Sequence, residues 1–194
     1  MRIGVLGGTF DPIHEGHLAA ARAAIECANL DKVLVIPTAV PPHRPPAVAG
    51  AEDRLEMARL ATSDDERFEV SDVELRRKGA SFTVDTLREL HERHPGDQLF
   101  LILGWDAAKL LGTWHEPEEV RRLARVVVVT RPGSGVPATT TDMILCEKPT
   151  PDISGSALRR AIAHHETLGG RVPEAVARYI AEKGLYGDNR QVGC

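Results

Sequence analysis

Short apolar runs alternate with longer stretches of helical periodicity along most of this chain. Continuous apolar runs predict buried strands at 2–7, 32–37, 98–104 and 125–131, and an alternating run predicts another strand at 68–75. Helical spacing of apolar residues predicts helices at 17–30, 51–62 and 83–94, and further helices from the last strand to Tyr186. Apolar strands separated by helices favour a mostly parallel sheet with helices on both faces. The predicted class is therefore α/β, a doubly wound sheet with a small C-terminal helical region.

Two loop-like stretches interrupt this pattern. Residues 37–50 contain five prolines, and residues 131–142 are rich in Gly, Pro and Thr. Loops of this length in a compact domain are more often functional than idle. No linker divides the chain, so residues 1–186 are predicted to form a single domain, followed by a polar, disordered tail at 187–194. In the helix at 51–62, the residues expected to face the core are Leu55, Ala58 and Leu60.

Composition narrows the class of protein. The chain has 194 residues, of which 42% are apolar and 27% charged, and its formal net charge is −4. Without a basic stripe, a nucleic-acid partner is not expected. No apolar run reaches the ~20 residues that span a bilayer, and the N-terminus lacks the features of a signal peptide. The expected location is cytoplasmic, with no membrane partner.

The three cysteines, Cys27, Cys146 and Cys194, have no short spacing. They predict neither a disulfide framework nor a zinc knuckle. Cys27 lies in a helical pattern and is expected to be a small buried apolar residue, whereas Cys194 ends the polar tail and is expected to be exposed.

The segment GGTFDPIHEGH, residues 7–17, joins the first predicted strand to the first helix. Glycines at the end of a strand let a ligand approach the backbone, and a helix start favours an anion. His14 and His17 are three positions apart, so both imidazoles project to one side and can donate to phosphate oxygens. Phosphate binding is the favoured interpretation; a plain helix-start turn and a metal site are the alternatives, although no third ligand is fixed by spacing.

This segment resembles the T/HxGH signature of nucleotidyltransferases, and its wording is closest to the nicotinate-nucleotide adenylyltransferases. The resemblance runs from residue 2 to about Tyr186 and includes PPHR (41–44), SFTVDTL (81–87), GWD (104–106), TWHE (113–116) and DISGSALRR (152–160). It implies a Rossmann-like nucleotidyltransferase domain at 1–186. From the residues alone, Ser81, Thr83 and Asp106 also suit helix caps, and Trp114 suits core packing.

The resemblance implies roles for particular residues. Those expected to bind ATP are Gly8, Thr9, Phe10, His14, Gly16, His17, Gly104, Asp106, Ser154, Ser156 and Arg159. Those expected at the acceptor are His43, Arg44, Ser81, Thr83, Thr86, Trp114 and His115. The implied catalytic set is His14, His17, Arg44 and Arg159. Phe82 and His115 stand where the family commonly has Tyr. Gly184 is expected at the C-cap of the closing helix.

The reaction implied by the resemblance joins ATP and nicotinate mononucleotide to give deamido-NAD and pyrophosphate in NAD biosynthesis. Mg²⁺ is expected to arrive bound mainly to ATP, with no metal site of the protein's own. An adenylyltransferase for nicotinamide mononucleotide or phosphopantetheine is the nearer alternative. A non-catalytic nucleotide sensor on the same fold is the more distant one.

Overall fold

A single parallel sheet organises the chain. The structure, a computed structural model, describes residues 1–39, 46–77, 79–130 and 142–187. Its strands are β1 (Arg2–Gly8), β2 (Lys32–Pro37), β3 (Phe68–Val70), β4 (Gln98–Gly104), β5 (Ala124–Thr130) and β6 (Met143–Glu147). All neighbouring pairs are parallel, in the order β3-β2-β1-β4-β5-β6. This is the strand order of a Rossmann-type doubly wound sheet, so the predicted α/β class is confirmed.

Helices cover both faces of the sheet. They are α1 (Glu15–Ala28), α2 (Ala51–Thr62), α3 (Thr83–Arg93), α4 (Trp105–Ala108), α5 (Pro117–Leu123), α6 (Gly155–Ala163) and α7 (Glu174–Lys183), with a short 3₁₀ turn at Leu111–Thr113. One core cluster holds the buried faces of α1, α2, α6 and α7, and the other holds those of α3 and α5. Alternate residues of β2 divide between the clusters, because successive side chains of a strand point to opposite faces.

The strand order creates a crevice at the carboxyl ends of the two central strands. The chain runs outward from β1 to β2 and β3, and then returns to add β4 on the other side of β1. The crevice outside the carboxyl ends of β1 and β4 is therefore the topological switch point, where ligands bind in doubly wound folds. Gly8 ends β1 opposite Pro37, the last residue of β2, and Gly104 ends β4.

The boundaries of β2, α2 and β4 match the prediction, and those of β1 and β5 differ from it by one residue, but β3 and β6 depart further. The strand predicted at 68–75 ends at Val70, and residues 73–76 form a turn in which the Arg77 N–H bonds the Glu74 carbonyl. The edge strand β6 was not expected, because the sequence analysis placed only helices between the strand at 125–131 and Tyr186. Its apolar run, Met143 to Cys146, is only four residues long and follows the loop-like stretch at 131–142. In α2, Ala58 is buried as predicted, but Leu55 and Leu60 are only half-buried. Arg54 and Met57 take their place in the interior.

The interpretation of the cysteines needs correction. Cys27 in α1 and Cys146 in β6 form a disulfide across 119 residues of sequence. Cys146 is fully buried, whereas Cys27 is an exposed residue rather than a small buried one. Sequence spacing could not reveal this pair, because its two cysteines meet only when α1 packs beside β6.

The C-terminal region follows expectation where it is described. Gly184 ends α7 with a positive φ of 61°, which confirms the predicted C-cap. None of the helices in the described ranges is long and apolar enough to cross a membrane. Residues 188–194 of the predicted tail, Cys194 among them, and residues 131–141 of the second loop lie outside the described residues.

Candidate active site

The turn between β1 and α1 lies at the switch point. It leaves β1 at Gly8 and enters α1 at Glu15, two residues before the predicted helix start. Phe10 adopts a positive φ of 50°, and its buried ring stands edge-on to the His17 ring at a centroid distance of 5.0 Å. A Cβ at Gly8 would lie 2.8 Å from the Phe10 ring, so only glycine allows this packing. Because the Phe10 ring is buried, its backbone is the part left for the contact with ATP that the resemblance implies.

His14 and His17 form a stacked pair beside this turn. Their ring centroids are 3.6 Å apart, with 21° between the ring planes. The backbone N–H of His14 donates to Nδ1 of His17 over 3.2 Å. A nitrogen that accepts a hydrogen bond carries no proton, so neutral His17 holds its proton on Nε2. The predicted convergence of the two histidines is confirmed, and His17 presents Nε2–H as a fixed donor.

Burial sets the charge of His14. Its side chain is 6% exposed, and loss of solvation lowers the pKa of His14 from 6.5 to about 4. Nδ1 of His14 is buried and has no hydrogen-bond partner within the described residues. In the empty site at neutral pH, His14 is therefore neutral and serves as a hydrogen-bonding group. An anion bound beside this ring would favour its protonated form.

The start of α6 packs against the histidine turn. Ser154 caps α6, since its Oγ accepts the Ala157 N–H over 3.3 Å, and Ser156 Oγ lies 3.4 Å from Ser154 Oγ. A Cβ at Gly16 would lie 3.0 Å from His14 Nδ1 and 3.4 Å from the Pro151 carbonyl oxygen. Glycine at position 16 therefore leaves room for the chain that precedes α6 to pack against the start of α1. The N-termini of α1 and α6 thus meet near the histidines, and the positive end of a helix dipole favours an anion.

Asp11 holds these pieces together, and sequence reasoning treated it only as part of a turn. The buried carboxylate accepts the Val48 N–H at 2.8 Å, the Ala49 N–H at 3.0 Å and the Tyr186 hydroxyl at 2.8 Å. Arg159 Nη1 donates to the Asp11 carbonyl oxygen over 2.6 Å and lies 3.5 Å from Oδ2. One residue therefore joins the histidine turn, the segment before α2, the C-terminal tyrosine and the predicted phosphate-binding arginine.

Arg54 is a second buried polar residue that the sequence analysis missed. Its Nη1 donates to the carbonyl oxygens of Thr9 at 2.8 Å and Thr38 at 2.7 Å, which ties the chain beyond β1 to the chain beyond β2. Burial lowers the pKa of Arg54, and the nearby Asp11 carboxylate opposes that shift. The sequence did contain a signal for this burial, because Arg54 lies one helical turn before Met57 and Ala58 on the same face of α2. An arginine on the apolar face of a helix is buried and needs hydrogen-bond partners within the protein.

At the end of β4, Gly104 precedes α4 and no side chain caps that helix. Asp106 is in the first turn, with its side chain 98% exposed and 2.7 Å from Lys109 Nζ. Hydrogen bonding to Lys109 lowers the pKa of Asp106. Its carboxylate is solvent-exposed and able to accept ligand hydroxyls, although it does not contact the histidine pair.

A cavity of about 620 Å³ opens beside the histidine turn. Gly8 and Thr9 line one side, and the start of α3 and the chain beyond the 3₁₀ turn line the other. The predicted acceptor residues that line it are Ser81, Thr83, Thr86, Trp114 and His115. Trp114 is half-buried and packs against the core, which supports its core-packing interpretation, and it also lines the cavity. The helix-cap interpretation of Ser81 and Thr83 is wrong, because Phe82 occupies the N-cap of α3 without a side-chain cap.

Glu74 also lines this cavity and was not anticipated. It is 6% exposed, and its Oε1 accepts the Thr86 hydroxyl over 2.9 Å. Oε2 of Glu74 and Oγ of Ser81 are buried and lack hydrogen-bond partners among the residues described. Burial raises the pKa of Glu74, with smaller opposing contributions from Thr86, Arg77 and Thr38. The signal for such a residue was weak, since it lies in a segment expected to alternate as a strand.

Two predicted residues cannot be placed. His43 and Arg44 belong to residues 40–45, which lie outside the described part of the chain. The segment that follows them is anchored beside the site through the bonds from Val48 and Ala49 to Asp11. Across the described ranges, no group of three or more His, Cys, Asp or Glu side chains is arranged to hold a metal ion.

Comparison with known proteins agrees with this geometry. The family described as cytidylyltransferase-like matches residues 5–161. A "Probable nicotinate-nucleotide adenylyltransferase" of Thermus thermophilus is 46% identical over 186 residues, covering 96% of this chain and all of the relative. One of the same description from Corynebacterium kroppenstedtii is 41% identical over 198 residues, covering 99% of this chain and 94% of the relative.

Solved structures show the same fold at greater distance. The nicotinic acid mononucleotide adenylyltransferase of Plasmodium falciparum, solved in complex with NaAD, superposes with a TM-score of 0.80 at 18% identity. The superposition covers 95% of this chain and 97% of that one. With a family match over most of the chain and near-full-length relatives above 40% identity, the chain belongs to the nicotinate-nucleotide adenylyltransferases of the cytidylyltransferase-like nucleotidyltransferase family.

Proposed function

We propose that the protein transfers the adenylyl group of ATP to nicotinate mononucleotide, which yields deamido-NAD and pyrophosphate for NAD biosynthesis. The stacked His14 and His17 pair at the switch point carries this proposal. It lies between the N-terminus of α6 and a cavity that reaches Gly8 and Thr9. A triphosphate on one side and a phosphorylated acceptor on the other would meet at the histidines. The names of the near-full-length relatives support the same reaction.

The two substrates divide the site. The ATP phosphates would lie over the starts of α1 and α6, where Ser154, Ser156 and Arg159 face the histidine turn. Gly104 and the exposed Asp106 at the end of β4 would meet the adenosine ribose. The mononucleotide would enter the cavity, with its ring against Trp114 and its phosphate towards Gly8. This division follows the carboxyl edge of the sheet, where the chain supplies backbone N–H groups rather than bulky side chains.

The chemistry needs positioning and charge neutralisation. An oxygen of the acceptor phosphate bonds to the α-phosphorus of ATP, and the bond from the α-phosphorus to the bridging oxygen breaks to release pyrophosphate. The attacking phosphate is already anionic, so no general base is required. The fixed Nε2–H of His17 would donate to the α-phosphate, and His14 would add a second donor. Preorganised donors of this kind stabilise charge that develops in the transition state.

Cations complete the neutralisation of the phosphates. Arg159 is held by Asp11 next to the histidine turn, and its remaining donors would bind the β- and γ-phosphates. We include His43 and Arg44 in this role because their loop returns to the site at Val48 and Ala49. Mg²⁺ enters as part of the Mg-ATP substrate, since it is commonly held by substrate phosphates. On this proposal residues 1–186 act as one catalytic domain in the cytoplasm, with no nucleic-acid partner.

A pyrophosphate-release assay tests the proposed function. Purified protein with Mg-ATP would be given nicotinate mononucleotide, nicotinamide mononucleotide or phosphopantetheine as the acceptor. Nicotinate mononucleotide is expected to give the highest kcat/KM, and phosphopantetheine none. Faster turnover of either other acceptor would reassign the substrate. Binding of ATP without pyrophosphate release from any acceptor would instead favour a nucleotide sensor.

A further inference from the structure

The acceptor cavity contains one carboxyl side chain that the proposed reaction does not use. Apart from Glu74 and the partly exposed His115, the cavity lining that the structure describes has no ionisable side chain. Most of that lining is apolar, including Ile36, Leu101 and Leu103. A buried carboxyl in such surroundings is costly unless something compensates it.

The compensation within the protein is incomplete. Oε1 of Glu74 is satisfied by the Thr86 hydroxyl, but Oε2 is buried and lacks a partner in the described residues. Arg77, a counter-charge to Glu74, donates instead to Thr86 at 3.2 Å and to Glu89 at 2.7 Å. One oxygen of Glu74 is therefore left over in a cavity of a size that suits a small ligand.

A ligand can supply the missing charge. The ring nitrogen of a pyridine mononucleotide bonds to ribose, so the oxidised ring carries a fixed positive charge that is spread over the ring. We propose that Glu74 is a specificity-determining residue whose carboxylate complements this cationic ring and so selects oxidised pyridine mononucleotides over their neutral dihydro forms. The inference rests on the proposed function, because it takes the cavity as the acceptor site.

The state of Glu74 then changes when the acceptor binds. Burial favours the protonated carboxyl in the empty cavity, and the cationic ring favours the carboxylate. The groups that face Glu74 are the Thr86 hydroxyl from α3, the Arg77 guanidinium from the turn after β3 and Thr38 from the end of β2. Glu89 on α3 lies behind Arg77 and does not line the cavity. Selection for the charged ring therefore strengthens as pH rises through the pKa of Glu74.

Calorimetric binding of two ligands tests the inference. Nicotinate mononucleotide and its 1,4-dihydro form have the same carboxylate, ribose and phosphate. The ratio of their Kd values therefore measures the preference of the protein for the charged, oxidised ring. The wild-type protein is expected to prefer the oxidised form by about tenfold or more at pH 8, since opposite charges at close range in a partly buried site attract strongly. In Glu74→Gln, which retains an oxygen for Thr86, the ratio should fall to within about threefold of unity.

The matched control is Glu89→Gln, which removes a carboxylate from the same Arg77 network but not from the cavity. It should keep the wild-type ratio. An unchanged ratio in Glu74→Gln would overturn the inference. If Glu74→Gln does not fold, the wild-type protein decides alone: the ratio must rise with pH as Glu74 ionises, and a ratio that stays near unity at every pH at which both ligands are stable would overturn the inference.

A third variant separates this inference from the proposed function. If the cavity is the acceptor site, Trp114→Ala should weaken the binding of both forms. If Trp114→Ala and Glu74→Gln both leave the two Kd values unchanged, the acceptor binds elsewhere and the inference fails with that assignment. If Trp114→Ala weakens binding but Glu74→Gln leaves both Kd values unchanged, the cavity remains the acceptor site. In that case only the inference that Glu74 selects the charged ring is overturned.

Discussion

Replacement of Asp11 by Ala should destabilise this protein more than its place in a turn suggests. The change would remove the acceptor for three donors, the N–H groups of Val48 and Ala49 and the hydroxyl of Tyr186. Val48 is 64% exposed, so water can replace the bond to its N–H. Ala49 and Tyr186 are 6% and 8% exposed, so their donors would stay buried without a partner.

The magnitude follows from those two donors. Each buried donor left unsatisfied costs about 1–3 kcal/mol, so Asp11→Ala should lower the free energy of unfolding by about 2–6 kcal/mol. The loss of the counter-charge near Arg54 acts in the same direction. Since domains are stable by about 5–15 kcal/mol, this is a large fraction of the total. Arg159 also loses the carboxylate beside it, so the KM for ATP should rise.

Urea unfolding followed by circular dichroism measures the effect. The matched control is Asp53→Ala, because Asp53 Oδ1 also accepts a tyrosine hydroxyl, that of Tyr179, over 2.9 Å. Asp53 is only half-buried, and water can satisfy its partner, so the control should cost at most about 1 kcal/mol. Equal costs for the two variants, both near 1 kcal/mol, would refute the reasoning from buried donors.

Three further predictions concern the site. His17→Ala should lower kcat by roughly 10²–10³ with little change in the KM for ATP, because its fixed Nε2–H acts on the transition state; a loss confined to KM in steady-state kinetics would contradict this. Trp114→Ala should raise the KM for the mononucleotide by roughly 5- to 150-fold, the equivalent of about 1–3 kcal/mol, and leave the KM for ATP unchanged; lower stability with both constants intact would make Trp114 a core residue only. The folded-state pKa of His14, about 4, lies below its ordinary 6.5, so the unfolded chain binds the proton more tightly and stability falls as pH drops from 6.5 to 4. The shift corresponds to a change of about 3 kcal/mol in the free energy of unfolding. In urea unfolding, His14→Gln should lack this change, and a pH profile identical to that of the wild-type protein would contradict the prediction.

Local pattern determined much of the fold. The bounds of β2, α2 and β4 could be predicted to the residue, because a buried strand needs only a continuous apolar run and a helix only its period. β6 could not, since its apolar run, Met143 to Cys146, is only four residues long, and periodicity does not distinguish so short a run from part of a buried helix. The spacing of His14 and His17 likewise predicted that their rings converge, because residues three apart at a helix start project to one side.

Tertiary structure decided which residues meet and what charge they carry. His14 and Arg159 are distant in sequence, and only the packing of α6 against the histidine turn brings them together through Asp11. The sequence analysis did not single out Asp11, Arg54 or Glu74, since polar side chains are mostly exposed unless the fold encloses them. Burial is a property of the assembled sheet and helices, and so are the lowered pKa of His14 and the raised pKa of Glu74 that follow from it. The disulfide between Cys27 and Cys146 could not be predicted for the same reason, because no local sequence pattern shows which helix lies beside which strand.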